Sequence, residues 1–220
     1  MLRLPWLFSL FPIPFLALAV ATTGCPAGDD DDDDDSSIAD DDDTTDEGPA
    51  PAELAELSSG KCPAIDESAT VTFDSGGEER KVTFVVPEEL EMGAPVLFFF
   101  HGLLSPDYTP EPTTEMASIL GLQGLADEFG AIIVLPESRI MDELNMVFFM
   151  WEVMERDEAD LLLYDDLRTC VVTEAGADIR RISATGFSGG SLFVTVLARE
   201  RGDTLAVVME NSGGSDVELP

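Results

Sequence analysis

The sequence GFSGG at residues 186–190 lies between an apolar strand-like run and an apolar helix-like run. Glycines on both sides of Ser188 allow a strand to turn sharply into a helix without clashes between Cβ atoms. A serine at the tip of such a turn projects its hydroxyl above the sheet, where it can act as a nucleophile. The plain alternative is a serine that merely occupies a tight turn. Either interpretation requires a strand, a turn and a helix in that order.

Apolar runs of strand length alternate with helix-like segments along the rest of the chain. The predicted strands are residues 71–73, 80–87, 95–100, 131–136, 182–185 and 205–209, and the predicted helices are 116–129, 159–173 and 191–201. Continuous apolar strands separated by helices are typical of a parallel sheet with right-handed crossovers. The pattern therefore predicts an α/β fold.

Residues 137–160 show neither the alternation of a strand nor the apolar spacing of a helix, and are predicted to be irregular. They carry the exposed-looking Phe148, Phe149 and Trp151. Two interpretations stay open for these aromatic residues: they belong to the core, or they line a pocket for an acyl group.

Residues 1–25 have the composition of an export signal. Arg3 precedes an apolar run that is interrupted by Pro12 and Pro14 and ends in small residues, a poor membrane span. The small residues before Cys25 resemble a bacterial lipobox, in which the cysteine is lipidated and becomes the mature N-terminus. We expect an exported lipoprotein, periplasmic or at the cell surface, that is anchored to the membrane through Cys25. Cleavage that releases a soluble secreted protein is the alternative.

Residues 26–60 form an acidic segment of low complexity. They hold 15 of the 45 acidic residues and no lysine or arginine, with seven consecutive aspartates at 29–35. Charge repulsion and the lack of apolar groups predict a disordered linker. Calcium loops alternate carboxylates with turn residues and include a glycine at the bend, so we interpret the run as a solvated spacer rather than a metal site. The domain is expected to span residues 61–220.

The formal net charge of −34 bounds the possible partners. Nucleic-acid binding is excluded, because contacts with phosphates need a basic surface.

Hydrophobic residues make up 45% of the 220 residues, which suffices for one sizeable core. We therefore expect one folded domain.

Two cysteines, Cys62 and Cys170, lie in the predicted domain. An exported chain permits a disulfide, and Cys62 stands where the chain enters the domain. The distance between the two in space is not readable from the sequence, and we expect two independent thiols. Neither cysteine has a histidine nearby, which disfavours a cysteine nucleophile.

Residues 69–214 resemble the α/β-hydrolase superfamily, and are similar in particular to exported polyhydroxybutyrate depolymerase and feruloyl esterase type serine esterases. The resemblance rests on an ordered series of motifs. They are HG at 101–102 after an apolar strand, GAIIVLPE at 130–137, DDL at 165–167, IRRI at 179–182 and GFSGG at 186–190. It implies an α/β-hydrolase-type, mostly parallel sheet with flanking helices.

The resemblance also implies a serine carboxylic-ester hydrolase. Ser188 is the implied nucleophile, and the backbone N–H groups of Gly189 and Leu103 are the implied donors to the oxyanion. His101 and Gly102 are interpreted as residues that order the loop carrying Leu103. The implied substrate is a small-molecule or polymeric ester, and the chemistry needs no cofactor and no metal.

The rest of the catalytic triad is missing from this sequence. In the superfamily an acid and then a histidine follow the nucleophile, but the single histidine is His101, upstream of Ser188. The C-terminal strands of such a sheet are also lacking. We expect a truncated esterase. The alternatives are a catalytically inactive, hydrolase-like surface lipoprotein that acts as a binding module, and an active enzyme that uses His101 or a residue from another chain.

Overall fold

The computed structural model describes residues 50–143, 146–154 and 157–214. The predicted export signal, Cys25 and the acidic segment up to residue 49 lie outside these ranges and stay predictions. No helix among the described residues is long and apolar enough to cross a membrane.

Strands and helices alternate along the described residues. The strands are β1 (Ala69–Ser75), β2 (Glu78–Val85), β3 (Val96–Phe100), β4 (Ile132–Pro136), β5 (Arg139–Glu143), β6 (Met146–Met150), β7 (Ile182–Phe187) and β8 (Val207–Asn211). The helices are α1 (Pro112–Ile119), α2 (Leu122–Phe129), α3 (Ala159–Glu174) and α4 (Gly189–Arg201), followed by a 3₁₀ turn at Gly202–Thr204.

A six-stranded sheet in the order β1-β2-β4-β3-β7-β8 forms the centre of the fold. β1 and β2 pair antiparallel, and β2 pairs antiparallel with β4. The other four strands, β4, β3, β7 and β8, run parallel to one another. The carboxyl ends of β3, β7 and β8 therefore lie side by side at one edge of the sheet, where ligands bind in open α/β sheets.

Helices cover both faces of the sheet because the parallel strands are apolar on both faces. Phe98 and Phe100 of β3 belong to the larger core cluster, which includes residues of α3 and α4. Ile133 and Leu135 of β4 belong to a second cluster with residues of α2. The alternation of side chains along each strand separates the two cores.

The predicted strands and α3 are confirmed within a few residues at their ends, but the predicted helix over 116–129 is two helices. Gly121, with φ of +62°, separates α1 from α2. A left-handed residue ends one helix, and glycine adopts that conformation without a steric penalty.

The prediction of an irregular segment over 137–160 is wrong. β5 and β6 pair as an antiparallel hairpin, and Leu104 of the loop after β3 bridges to Phe149 of the hairpin. Phe149 and Trp151 are buried rather than exposed, and Phe148 is half-buried. β5 is short and mixes charged with apolar residues, and β6 is continuously apolar, so no alternation marks either strand in the sequence.

The packed part of the chain begins before residue 61, which corrects the end of the predicted linker. The Arg168 side chain donates hydrogen bonds to the carbonyl oxygens of Ala52 and Glu53 at 2.7 and 2.9 Å. The Ser58 N–H donates to the Asp166 carboxylate at 2.8 Å. Arg168 and Asp166 are 2% and 0% exposed, and buried charges need partners of this kind. The segment from residue 52 therefore belongs to the fold.

Cys62 and Cys170 form a disulfide, which corrects the expectation of two independent thiols. The bond joins residues 108 positions apart, with 5.2 Å between their Cα atoms. Cys170 lies on α3, the same helix that holds residues 52–58 through Arg168 and Asp166. The pairing depends on how the N-terminal segment runs across α3, which local sequence does not encode.

Candidate active site

Ser188 stands at the turn from β7 into α4 with a strained backbone. Its φ of +53° and ψ of −117° lie outside the regions that non-glycine residues ordinarily occupy. The Ser188 N–H donates to the carbonyl of Asn211 at 2.9 Å, and its own carbonyl accepts from Ser191 and Leu192 at 2.9 and 3.2 Å. These bonds hold the turn from both sides and leave the half-buried side chain facing a cleft.

Glycines 186 and 190 allow the backbone of the turn to approach its neighbours closely. A Cβ built on Gly190 would lie 2.1 Å from the carbonyl oxygen of Phe100, and one on Gly186 would lie 2.4 Å from the carbonyl carbon of Gly190. Real Cβ atoms are not found so near to backbone atoms. Glycine at these positions is therefore required for α4 to begin directly above β3.

The loop after β3 lies against the turn that carries Ser188. A Cβ on Gly102 would lie 3.3 Å from the Cβ of Ser188, and a Cβ on Gly189 would lie 3.3 Å from the backbone nitrogen of Leu103. The structure thus brings together Ser188, Gly189, Gly102 and Leu103, four of the residues singled out from the sequence. Two backbone N–H groups beside a serine hydroxyl are the arrangement that stabilises an oxyanion in acyl transfer.

His101 is buried, and backbone groups engage both of its ring nitrogens. The Ser138 N–H donates to Nε2 at 3.2 Å, so Nε2 is an acceptor and Nδ1 carries the proton. Nδ1–H then donates to the carbonyl oxygen of Gly102 at 2.7 Å. That carbonyl shares its peptide group with the Leu103 N–H, so the imidazole fixes the orientation of this N–H. Trp151 holds the carbonyl of His101 itself at 2.8 Å.

Burial lowers the pKa of His101 from 6.5 to about 4, although its bond to the Gly102 carbonyl and the charge of Asp160 partly oppose this shift. The imidazole is therefore neutral at pH 7 with a defined tautomer. The hydrogen bonds to the Gly102 carbonyl and from the Ser138 N–H require this neutral tautomer, with a proton on Nδ1 and none on Nε2.

We expect the stability of the protein to fall as the pH drops from about 6.5 to about 4. Over this range the unfolded chain binds a proton at histidine while buried His101 does not, so protons favour unfolding. The difference in pKa corresponds to about 3 kcal/mol. Urea unfolding of the wild type and of His101→Phe at pH 7 and pH 4 measures this loss of stability. The effects of other titrating groups cancel when the pH dependences of the two proteins are subtracted. Equal pH dependence of the two proteins would show that His101 is not buried as described.

An apolar cleft of about 240 Å³ opens beside Ser188. Its lining residues are Leu103, Met150, Trp151, Val153, Ser188, Gly189 and Leu192. Trp151 also belongs to the core: its ring stacks on Phe193 and meets Phe100 edge-on, each with 5.1 Å between ring centroids. Trp151 is thus a core residue that also lines the cleft, and a role of the cleft in binding an acyl group stays a prediction.

Sequence reasoning missed Ser138 and Asn211, which support His101 and Ser188. Ser138 lies two residues beyond the end of β4, and Asn211 is the last residue of β8. The general rule that functional groups gather at the carboxyl ends of parallel strands is the signal that could have found them. Among the described residues, no cluster of histidine, cysteine and acidic side chains is arranged to hold a metal ion.

No protein-family model matches the chain, and no curated protein matches it. Solved structures do resemble it in fold. A thermostable esterase superposes with a TM-score of 0.52 at 20% identity, over 70% of this chain and 43% of the esterase. A ferulic acid esterase superposes with a TM-score of 0.50 at 18% identity, over 66% of this chain and 57% of that protein.

This chain therefore spans about half the length of the structures it matches. At such low identity the likeness establishes the fold alone. Together with the mostly parallel sheet and its flanking helices, it confirms the predicted α/β-hydrolase-type fold.

Proposed function

We propose that this chain, with its α/β-hydrolase-type fold, carries the nucleophile and oxyanion site of a serine carboxylic-ester hydrolase. One observation carries the proposal: the strained Ser188 turn lies with Gly189 against the backbone nitrogen of Leu103, at the mouth of an apolar cleft. A serine held in this way has a space for an acyl group and two backbone donors beside it, since Gly189 and Leu103 also line the cleft.

The reaction follows from these groups. The Ser188 Oγ attacks the ester carbonyl carbon, its proton passes to a base, and the carbonyl oxygen becomes an oxyanion that the N–H groups of Gly189 and Leu103 stabilise. Collapse of this intermediate expels the alcohol and leaves an acyl group on Ser188. Water then attacks the acyl carbon and releases the acid. Each oxyanion donor is worth roughly 100-fold to 1,000-fold in rate.

The base is not His101 in this proposal. Its Nδ1 and Nε2 are both bound to backbone groups, and it is the single histidine of the sequence. His101 and Gly102 instead order the loop that presents Leu103. A histidine that deprotonates Ser188 therefore has to come from outside these 220 residues.

The engagement of His101 also favours a second candidate function, a hydrolase-like binding module without turnover. In that case the cleft beside Trp151 binds an apolar or ester-containing ligand, and Ser188 stays unacylated. The two candidates differ in whether Ser188 forms a covalent bond to a carbonyl or phosphonyl centre.

Covalent labelling of the full chain with an alkyl fluorophosphonate tests the proposal. The Ser188 Oγ attacks phosphorus and fluoride leaves, so the peptide that contains Ser188 gains the mass of the phosphonyl group. We expect slow labelling that added imidazole accelerates about tenfold, because imidazole supplies the missing base and general bases contribute about 100-fold or more when positioned. We expect added imidazole to accelerate the hydrolysis of p-nitrophenyl butyrate in the same way.

Ser188→Ala is expected to reduce both signals to background, whereas the matched variant Ser105→Ala, on the same loop as Leu103 but outside the cleft lining, keeps them. Binding of p-nitrophenyl butyrate without any modification of Ser188, with or without imidazole, would favour the binding module and overturn the hydrolase proposal.

We also propose that the protein is exported and anchored through a lipid on Cys25. The apolar leader and the small residues before Cys25 support this, and the acidic segment that follows suits a spacer between a membrane and the folded part. Mass spectrometry of the mature N-terminus separates the cases: a diacylglycerol-modified Cys25 supports an anchor, and a free terminus beyond Cys25 indicates secretion.

A further inference from the structure

The turn after β8 contacts the Ser188 turn at three points. The Asn211 carbonyl accepts the Ser188 N–H at 2.9 Å. A Cβ on Gly213 would lie 2.8 Å from the carbonyl oxygen of Ser188, so these two backbones touch. The carbonyl of Gly213 accepts the hydroxyl of Ser191, in the first turn of α4, at 2.6 Å. The turn of residues 211–213 therefore supports both the nucleophile and the helix that follows it.

The two turns also share an unusual backbone conformation. Ser188 and Ser212 are the non-glycine residues of the described ranges with positive φ, +53° and +59°. Such conformations are energetically unfavourable for residues with a side chain and persist where the surrounding structure enforces them. Here each strained residue is adjacent to groups that bind the other turn.

The side chain of Asn211 adds a second connection to the strand that leads into the nucleophile. Its Nδ2 donates to the hydroxyl of Thr185 at 3.0 Å and to the carbonyl of Gly186 at 3.3 Å. The Thr185 hydroxyl in turn donates to the carbonyl of Met209 on β8 at 3.0 Å. Asn211 is itself exposed, so its amide contributes directed hydrogen bonds rather than buried apolar area.

We propose that Asn211 is a positioning residue that, together with Gly213, holds Ser188 in its strained conformation. The inference rests on the proposed function for its chemical consequence, because a nucleophile has to be held at a set distance from the oxyanion donors. Its structural part, the restraint on the Ser188 backbone, is measurable without any turnover.

Hydrogen exchange of the full chain, followed by mass spectrometry, tests that restraint. Asn211→Leu keeps the approximate volume of the side chain and removes the amide donor. We expect exchange in the peptide that covers residues 186–190 to accelerate about tenfold, since two hydrogen bonds to β7 are lost. A peptide from α3 in the same digest is expected to exchange at the wild-type rate, which shows that the variant is folded.

Two further variants make the comparison specific. Glu210→Gln changes the neighbouring side chain, which accepts a hydrogen bond from Thr195 of α4 rather than from the nucleophile turn. In this variant we expect residues 186–190 to exchange at the wild-type rate. Gly213→Ala places a methyl group against the Ser188 carbonyl and is expected to accelerate exchange at least as much as Asn211→Leu. Unchanged exchange at residues 186–190 in both Asn211→Leu and Gly213→Ala would overturn the inference.

Fluorophosphonate labelling of the same variants gives the chemical readout. We expect the rate at Ser188 to fall about tenfold in Asn211→Leu and to stay at the wild-type level in Glu210→Gln. If the wild type itself is not labelled, the proposed hydrolase function fails, while the exchange rates still decide whether Asn211 restrains Ser188. Faster exchange with an unchanged labelling rate would overturn the chemical part of the inference.

Discussion

Replacing Gly190 with alanine is expected to lower the free energy of unfolding by about 4 kcal/mol or more. The new methyl carbon would lie 2.1 Å from the carbonyl oxygen of Phe100 and 2.4 Å from that of His101. Both are backbone atoms at the end of β3 that cannot rotate away as a flexible side chain can. Either α4 moves off the sheet or the strand end shifts, and both changes separate Gly189 from Leu103.

Chemical unfolding monitored by circular dichroism measures this change, with Gly124→Ala as the matched control. Gly124 lies within α2, and nothing stands within 4 Å of a Cβ built there. Alanine at position 124 is expected to stabilise the protein by up to about 1 kcal/mol, because alanine favours a helix more than glycine does. Equal stabilities for Gly190→Ala and the wild type would contradict the close contact between α4 and β3.

Loss of the Cys62–Cys170 disulfide is expected to lower the free energy of unfolding by about 4 kcal/mol, within a usual range of roughly 2 to 5 kcal/mol. The bond closes a loop of 108 residues, and a long loop restricts the unfolded chain strongly. It also ties the N-terminal segment to α3, which already binds that segment through Arg168 and Asp166.

The test compares a Cys25→Ser protein with the same protein carrying Cys62→Ala and Cys170→Ala. Dithiothreitol is expected to reduce the stability of the first protein to about that of the second and to leave the second unchanged. The Cys25→Ser background removes the third cysteine of the chain as a source of thiol signal. Two thiols that react with iodoacetamide in the native, unreduced Cys25→Ser protein would show that the disulfide does not form.

Much of the fold was predictable because its signals are local. The apolar runs that became β3, β4 and β7 are continuous, so their burial follows from a few adjacent residues. The hairpin of β5 and β6 was missed, since its apolar residues do not alternate and its partner is the loop at Leu104. Local periodicity carries no information on such a contact.

The residues of the candidate site likewise fall into those that local sequence predicts and those that it does not. Ser188 and its glycines were found because a strand-to-helix turn is written in five consecutive residues. Ser138 and Asn211 were not found, because each meets its partner across a sheet, at a sequence distance of 37 residues for Ser138 and His101. The pairing of the cysteines was misjudged for the same reason.

The sequence by itself determined the alternation of strands and helices, the sharp turn at Ser188 and the residues able to surround it, because these depend on apolar periodicity and on glycines within a short stretch. Only the tertiary structure decided which groups meet. It bound both nitrogens of His101 to backbone groups, joined Cys62 to Cys170 and placed the turn after β8 beneath Ser188. These outcomes depend on where the carboxyl ends of strands distant in the chain lie side by side, which sheet order and packing set.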